Sequence, residues 1–298
     1  MTPKVTLKGI SVGQLVQMEF TKKTEILGPW LKEGNLVLIY ANRGLGKTFF
    51  ALQIAQAVAT EGTFLKWKAG KSSSVCLFDG EMGLESLSMR VGSIIDNSEV
   101  EMGRDAMKIV TFEHFGLKMP NLSDPEDQEI YTAESAGSDL IIIDNLLTCS
   151  RPMDSRLHDN ETAQWGRIQE WLIKMRQAGK SVVLIHHAGK SGSQLGTSQR
   201  ENIMDTVIAL KKPARNVMID GFQAELYFEK HRNFYGKDTE PLFIEYETSE
   251  WGSTWKWSTL RAQVYCEVMK LHEEGVKVKD IALMLNLSSF EIQSVIQL

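Results

Sequence analysis

Three things are in short supply in this sequence, and each shortage excludes something. Cysteine is scarce: Cys76, Cys149 and Cys266 stand far apart, with no spacing that would gather them around a metal or into a disulfide framework. Two of them adjoin aliphatic runs and read as small buried residues in a reducing compartment. Long apolar runs are absent. None reaches the roughly 18 residues that cross a bilayer, and Met1 to Gln14 lacks the continuous apolar core of a signal peptide. A cytoplasmic protein with no membrane partner is expected. Positive charge is not in excess either. Lys and Arg number 33 against 38 Asp and Glu, a net charge of −5, so no global field draws the chain onto nucleic acid or anionic lipid. Any nucleic-acid contact has to come from a local patch or from assembly.

What is present suits a soluble globular chain: 43% hydrophobic and 24% charged residues over 298 positions, enough for one large α/β domain and a small appendage. The chain is organised around Asn35 to Thr60. A buried apolar strand, N-L-V-L-I-Y, runs into Ala41-Asn42-Arg43-Gly44-Leu45-Gly46-Lys47-Thr48, and an alanine-rich helix leaves from Phe49. The loop fits the phosphate-binding pattern G-x-x-x-x-G-K-[ST] at every fixed position but the first, where Ala41 replaces glycine. Backbone N–H groups can close around phosphate oxygens only where side chains near the turn are small. Gly44 and Gly46 supply that room, and the helix N-terminus near Lys47 adds partial positive charge. Ala41 to Phe49 are therefore expected to cradle ATP, with Lys47 on the terminal phosphates and the Thr48 hydroxyl on Mg²⁺.

Further aliphatic runs follow at Val75–Phe78, Met107–Phe112, Leu140–Ile143 and Val182–Ile185. A helix is expected from Leu84 to Ile95, and an irregular Pro- and acid-containing segment from Met119 to Gln128. Trp165, Ile168, Leu172 and Met175 recur at helical steps, with Asp159-Asn160 as a candidate N-cap. Short aliphatic runs without alternation, separated by helices, indicate a parallel sheet covered on both faces. Ligands gather at the carboxyl ends of such strands. Lys47, Glu81, Asp144 and His186 all stand at those ends.

Each of these types has chemistry to offer a nucleotide. Asp144, after four aliphatic residues, is a candidate for the Mg²⁺ shell. Glu81 is a candidate general base for an attacking water, with Asp79 as its competitor. His186 is placed to sense the γ-phosphate. The His186-His187 pair has no third ligand at metal spacing.

The order Lys47-Thr48, Glu81, Asp144, His186 resembles the RecA-like ATPases, and among them the plasmid-replication helicase RepA and the DnaB-type replicative helicases. In that family the catalytic glutamate follows the second strand, as in F-D-G-E here, and L-I-H-H-A-G-K resembles the histidine-bearing sensor strand and the start of a DNA loop. Lys230-His231-Arg232-Asn233 is similar to the K-x-R-N segment that gives a positive finger to the neighbouring subunit's nucleotide. The resemblance covers about 28–247 and implies a RecA-like α/β core, in a main domain read as 29–257, together with a homo-oligomer (a hexamer) and catalytic roles for Lys47, Glu81, His186, Lys230 and Arg232. Ile208 stands near where the plasmid helicase has a finger arginine, so that task passes to Lys230 or Arg232. Acidic Asp154, Asp159 and Glu161 make the loop after Asp144 unlike a DNA contact.

The late chain is read in pieces. Ala188 to Thr206 is polar, and its mobile glycine-containing stretch from Lys190 to Arg200 is the candidate contact for single-stranded nucleic acid, through backbone phosphates only. It holds no aromatic for base stacking. An unliganded surface loop is the other reading. Ala224 to Glu229 and Leu242 to Tyr246 read as antiparallel strands at the late edge, and Trp251, Trp255 and Trp257 as a hairpin that closes the main domain. Residues 1–28 read as an arm, and 258–298 as a small helical segment of helix-turn-helix character. Its last helix has no Lys or Arg, which favours packing or oligomerisation over DNA reading. The function expected is a Mg²⁺-dependent ATPase coupled to single-stranded nucleic acid in replication or repair. A nucleotide-switched scaffold ATPase is the alternative.

Overall fold

The computed structural model describes residues 9–96, 102–103, 105–116, 118–150, 161–189, 198–213, 219–249 and 252–297. After α1 (Val12–Gln17), a hairpin of β1 (Glu25–Leu27) and β2 (Leu31–Lys32) leads to β3 (Leu36–Ala41) and α2 (Lys47–Ala59). A second small hairpin, β4 (Thr63–Phe64) and β5 (Trp67–Lys68), precedes β6 (Val75–Asp79), α3 (Leu84–Asp96) and β7 (Met107–Thr111). Next come α4 (Pro125–Glu134), β8 (Leu140–Asp144), one-turn α5 (Leu146–Cys149), α6 (Glu161–Gln177) and β9 (Ser181–His187). Strands β10 (Thr206–Lys211), β11 (Gly221–His231), β12 (Leu242–Ser249) and β13 (Gly252–Thr259) follow, then α7 (Leu260–Glu273), α8 (Val278–Leu285) and α9 (Ser289–Ile296).

The main sheet has the order β13-β12-β11-β10-β3-β9-β8-β6-β7. Its members from β10 to β7 are parallel, and β11 to β13 turn antiparallel at one edge. This is the α/β fold expected, a mainly parallel sheet with antiparallel strands at one edge and helices around it. Strands β3, β6 and β8 are buried along their whole length, as their unbroken aliphatic runs require. Alternate residues feed two cores. Val37, Ile39, Leu77, Ile142, Val183 and Ile185 face α2, while Leu38, Phe78, Ile141, Leu184 and Trp171 belong to the core on the α6 side.

Besides α1, the two small hairpins and one-turn α5, two larger elements go beyond the sequence reading. Strand β10 follows a polar stretch, yet it lies beside β3 and carries five buried residues. Helix α4 begins inside the segment from Met119 to Gln128 that is expected to be irregular. Proline at the first helical position costs nothing, since its missing N–H would be unpaired there anyway, and the Asp124 carboxylate caps the turn. The candidate cap at Asp159-Asn160 lies outside the described residues, as do Asp154 and Trp251.

An aromatic cluster ties the antiparallel edge to the loop-bearing helix. Phe49 and Phe50 at the start of α2 meet Phe222, Tyr246 and Trp255 from β11, β12 and β13, with ring centroids 4.7–6.3 Å apart. Such pairs contribute about 0.5–1.5 kcal/mol each beyond their buried area. Main-core burial begins at the first hairpin, with Ile26, Leu27, Trp30 and Leu31. Helices α7 to α9 pack around a small core of their own: Val268, Ile281, Ala282 and Ile292. Among the described residues no helix is long and apolar enough to cross a membrane.

Candidate nucleotide site

Strand β3 ends at Ala41, the chain turns through residues 42–46, and α2 begins at Lys47 with Gly46 as its N-cap. Gly44 and Gly46 have φ of 80° and 68°, so both need the left-handed conformation that glycine adopts freely. Ala41 is the last residue of a regular strand and is not among the positive-φ residues. Loss of the first motif glycine is therefore tolerated. The loop, the end of β6 and the end of β9 enclose a cavity of about 340 Å³ lined by Arg43, Gly44, Gly46, Lys47, Thr48 and Phe49, and by Glu81, Arg90, His187 and Phe222. Asn42 and Ala41 act from behind: their carbonyls accept from the Lys47 ammonium at 3.1 and 3.3 Å. Leu45 is buried in the core. Burial lowers the Lys47 pKa, opposed by the charges of Asp144 and Glu81.

Asp79 and Asp144 end adjacent parallel strands and pair directly across the sheet. Both share the α2 face, because they continue the alternation of Leu77 and Ile142. Asp79 accepts the backbone N–H groups of Glu81 and Met82 at 2.8 and 2.6 Å, and so shapes the turn that presents Glu81. Its other oxygen is buried without a partner among the described residues, as is one oxygen of Asp144. The Thr48 hydroxyl bonds to Asp144. Burial pushes Asp144 up to about 7, with the neighbouring Asp79 charge next in size. Burial likewise raises Asp79 to about 6, against its two backbone hydrogen bonds. Glu81 itself is well exposed, at 41% of its side chain.

The histidine that meets this site is His187. Its Nε2 lies 3.2 Å from Glu81 Oε1 and 3.2 Å from Asn145 Nδ2. His186 points to the opposite face, buried and bonded to Arg200. The alternation of a strand decides between them: Val183, Ile185 and His187 look toward α2, whereas Val182, Leu184 and His186 look toward α6.

Three other expected residues lie away from the cavity. Arg200 is turned inward, bonded to His186 and Glu161 with only 11% of its side chain exposed, so it is not an open phosphate contact. Lys190 lies outside the described residues. Lys230 donates to the carbonyls of Glu201 and Asn202, and Arg232 to Asn202, with Asp205 paired to it at 3.5 Å. These two cations sit at the amino end of the parallel strands: Lys230 pairs with Val207, which stands opposite Leu38, whereas the loop leaves from Ala41.

Two cavity residues were missed in the sequence. Phe222 lies across the mouth of the loop. Arg90 of α3 rests its guanidinium over the Phe49 ring, 4.5 Å from the centroid, and makes no ion pair among the described residues. Arg90 stands nine positions beyond Glu81, on the helix that Glu81 introduces, which was the available signal. Phe222 had none, because only the return of β11 beside the loop brings it there.

Fold and cavity together define a P-loop ATPase. A family model described as an AAA domain (AAA_25) matches residues 2–193, and the chain belongs to that family. It is similar in structure to a KaiC-like protein from the hyperthermophilic archaeon Pyrococcus horikoshii OT3, with a TM-score of 0.51 and 16% identity over 79% of this chain and 99% of that one. A RadB recombinase gives a TM-score of 0.50 at 14% identity, over 76% of this chain and 92% of that one. Both likenesses carry the fold alone. No curated protein matches the sequence.

Proposed function

We propose that the chain hydrolyses ATP in the cavity between Lys47 and Glu81, as one subunit of a homo-oligomer that acts on single-stranded nucleic acid. The observation that carries the reading is the meeting of Lys47, Thr48, Glu81, Asp144 and His187 around one phosphate loop. Lys47 and the loop N–H groups bind the phosphates. Glu81 takes the proton of the attacking water, and His187, within hydrogen-bond reach of its carboxylate, orients it. The half-empty hydrogen-bonding of Asp79 and Asp144 suits a hard divalent cation held through oxygen, with Thr48 and Asp144 as its residues. Mg²⁺ bound there would neutralise phosphate charge.

Lys230 and Arg232 are separated from their own loop by most of the length of β3, on the order of 10 Å at 3.3 Å per residue. Their place at the opposite rim supports service to a neighbouring subunit's phosphate, where a finger supplied in trans is worth on the order of 10³-fold in rate. This is the finer resemblance to the hexameric helicases. The inward Arg200 leaves Lys190 as the remaining cation proposed for single strands.

The test joins binding, chemistry and assembly. Glu81→Gln is expected to bind ATP but lose turnover by roughly 10²-fold or more. Added to an Arg232→Ala or a Lys230→Ala chain, it is expected to restore activity above the sum of the two alone, because some interfaces then pair an intact base with an intact finger. Wild-type turnover is expected to rise with single strands. No recovery on mixing, together with equal turnover per chain in monomer and assembly, would overturn the shared site. Turnover indifferent to single strands would favour the nucleotide-switched scaffold instead.

A further inference from the structure

The site described above makes no use of the last three helices. Helix α8 spans eight residues and ends at Asn286, which takes the left-handed conformation at φ 53° and ψ 43°. Two residues later Ser288 caps α9, also eight residues long. The small side chain of Ala282 and the buried Ile281 and Ile292 pack the pair against Val268 of α7. Two short helices joined by a tight left-handed turn and braced by a third are the frame of a helix-turn-helix.

The exposed side of α9 has a definite chemistry. Ser289, Phe290, Gln293 and Gln297 stand on its open face, Phe290 at 77% exposure. The one acid of the helix, Glu291, is turned back: its carboxylate accepts from the Ser288 backbone N–H and hydroxyl, both at 2.7 Å. The open face therefore offers neutral hydrogen-bonding groups and one ring, with little to repel an anion. Positive charge lies on the neighbouring helix instead. Lys277, the N-cap of α8, and Lys279 in its first turn are exposed, beside the exposed Asp280. That end of a helix dipole disfavours cations, and neither lysine makes an ion pair among the described residues.

We propose that α7 to α9 form a duplex-DNA-binding unit, with α9 in the major groove, Ser289, Phe290 and Gln293 at base edges, and Lys277 and Lys279 on flanking phosphates. Glutamine matches the donor–acceptor pair of adenine, and a ring matches the thymine methyl, so the preferred site is rich in A·T pairs. The absence of Lys and Arg from α9 weighs against non-specific attraction, not against base reading. Between Leu260 and Gln297 there are four Lys and Arg and five Asp and Glu. One unit alone binds weakly, and several units carried on one assembly gain by acting together. The inference rests on the proposed assembly for its affinity and not on the ATPase chemistry.

The test uses the whole chain. A random duplex pool is put through rounds of selection, and the enriched duplex is compared with a scrambled one by fluorescence anisotropy over a range of salt. Enrichment of an A·T-containing site is expected. Gln293→Ala should lower the preference for the enriched over the scrambled duplex roughly tenfold, and Phe290→Ala should lower it in the same direction. Lys277→Ala with Lys279→Ala should weaken both duplexes alike and reduce the salt slope by about 1.8 per unit. ATP turnover without DNA should be the same in every variant, which also reports that the chain is folded. The proposal is overturned if no duplex is enriched, or if binding is indifferent to positions 290 and 293. It is equally overturned if Phe290→Ala alters only the size of the assembly, since the face is then a protein interface.

Discussion

Phe222 occupies the space that any side chain at Gly46 would need. A Cβ added there would meet Phe222 Cζ at 1.9 Å, with two further ring carbons at 2.3 Å. The glycine before Lys47 thus answers to the fold as well as to the phosphate. Its φ of 68° adds a second constraint, which costs an L-residue about 1–2 kcal/mol.

Gly46→Ala is therefore expected to destabilise the chain and weaken ATP binding. In a Phe222→Ala background its cost in denaturant unfolding should shrink by about 0.5–3 kcal/mol, the range of couplings between touching residues. The backbone strain should remain. Equal costs in both backgrounds would mean that the ring swings away freely.

The two histidines should separate cleanly. His187→Ala removes the partner of Glu81 and should reduce turnover with little change in ATP affinity. His186→Ala leaves the cavity lining intact and should act on Arg200 and the loop before it. A larger loss of turnover from His186→Ala than from His187→Ala would reverse the assignment.

Arg90 brings to the cavity wall a guanidinium that makes no ion pair among the described residues. Hydrogen bonds to charged groups contribute about 1.5–3 kcal/mol, so Arg90→Ala should weaken ATP binding by roughly tenfold or more. Arg90→Lys should recover only part of it, because an ammonium cannot lie flat on Phe49. Titration calorimetry decides the matter, and unchanged affinity would place Arg90 outside the bound nucleotide.

Asp79 and Asp144 make stability depend on pH. Both have folded pKa values, about 6 and about 7, above the ordinary carboxylate value of 3.8. From about pH 4 to pH 7 the folded chain keeps protons that the unfolded chain has released, so stability falls as pH rises through that window. The denaturant midpoint of the nucleotide-free protein should be lower at pH 8 than at pH 5. Asp144→Asn should flatten the slope. Stabilisation by Mg²⁺ with ATP should be larger at pH 8, where no proton competes. A midpoint that rises over this range would contradict the burial of the pair.

Much of this was legible because parallel strands buried on both faces leave unbroken aliphatic signatures. Each of Val75–Phe78, Leu140–Ile143 and Val182–Ile185 became a strand with a polar residue at its carboxyl end. The choice of histidine was legible in principle from strand parity, once Asp144 is taken to face the phosphate loop. Phe222 and the inward turn of Arg200 were not. Both depend on partners more than a dozen residues away, and no local pattern encodes which partner a side chain finds. Pro125 misled in the other direction, since a residue that breaks helices also starts them.

Placing the phosphate loop at one rim of the sheet and Lys230 with Arg232 at the other gives each chain a head and a tail. Across a two-fold axis any contact of head with tail is matched by its reverse, so a dimer completes both sites or neither. In any larger chain of such contacts, every copy is related to the next by the same rotation and shift. A rotation that divides the full circle, without shift, closes into a ring in which every site is complete. Any shift leaves a helical filament with one unmatched loop at one end and one unmatched cation pair at the other.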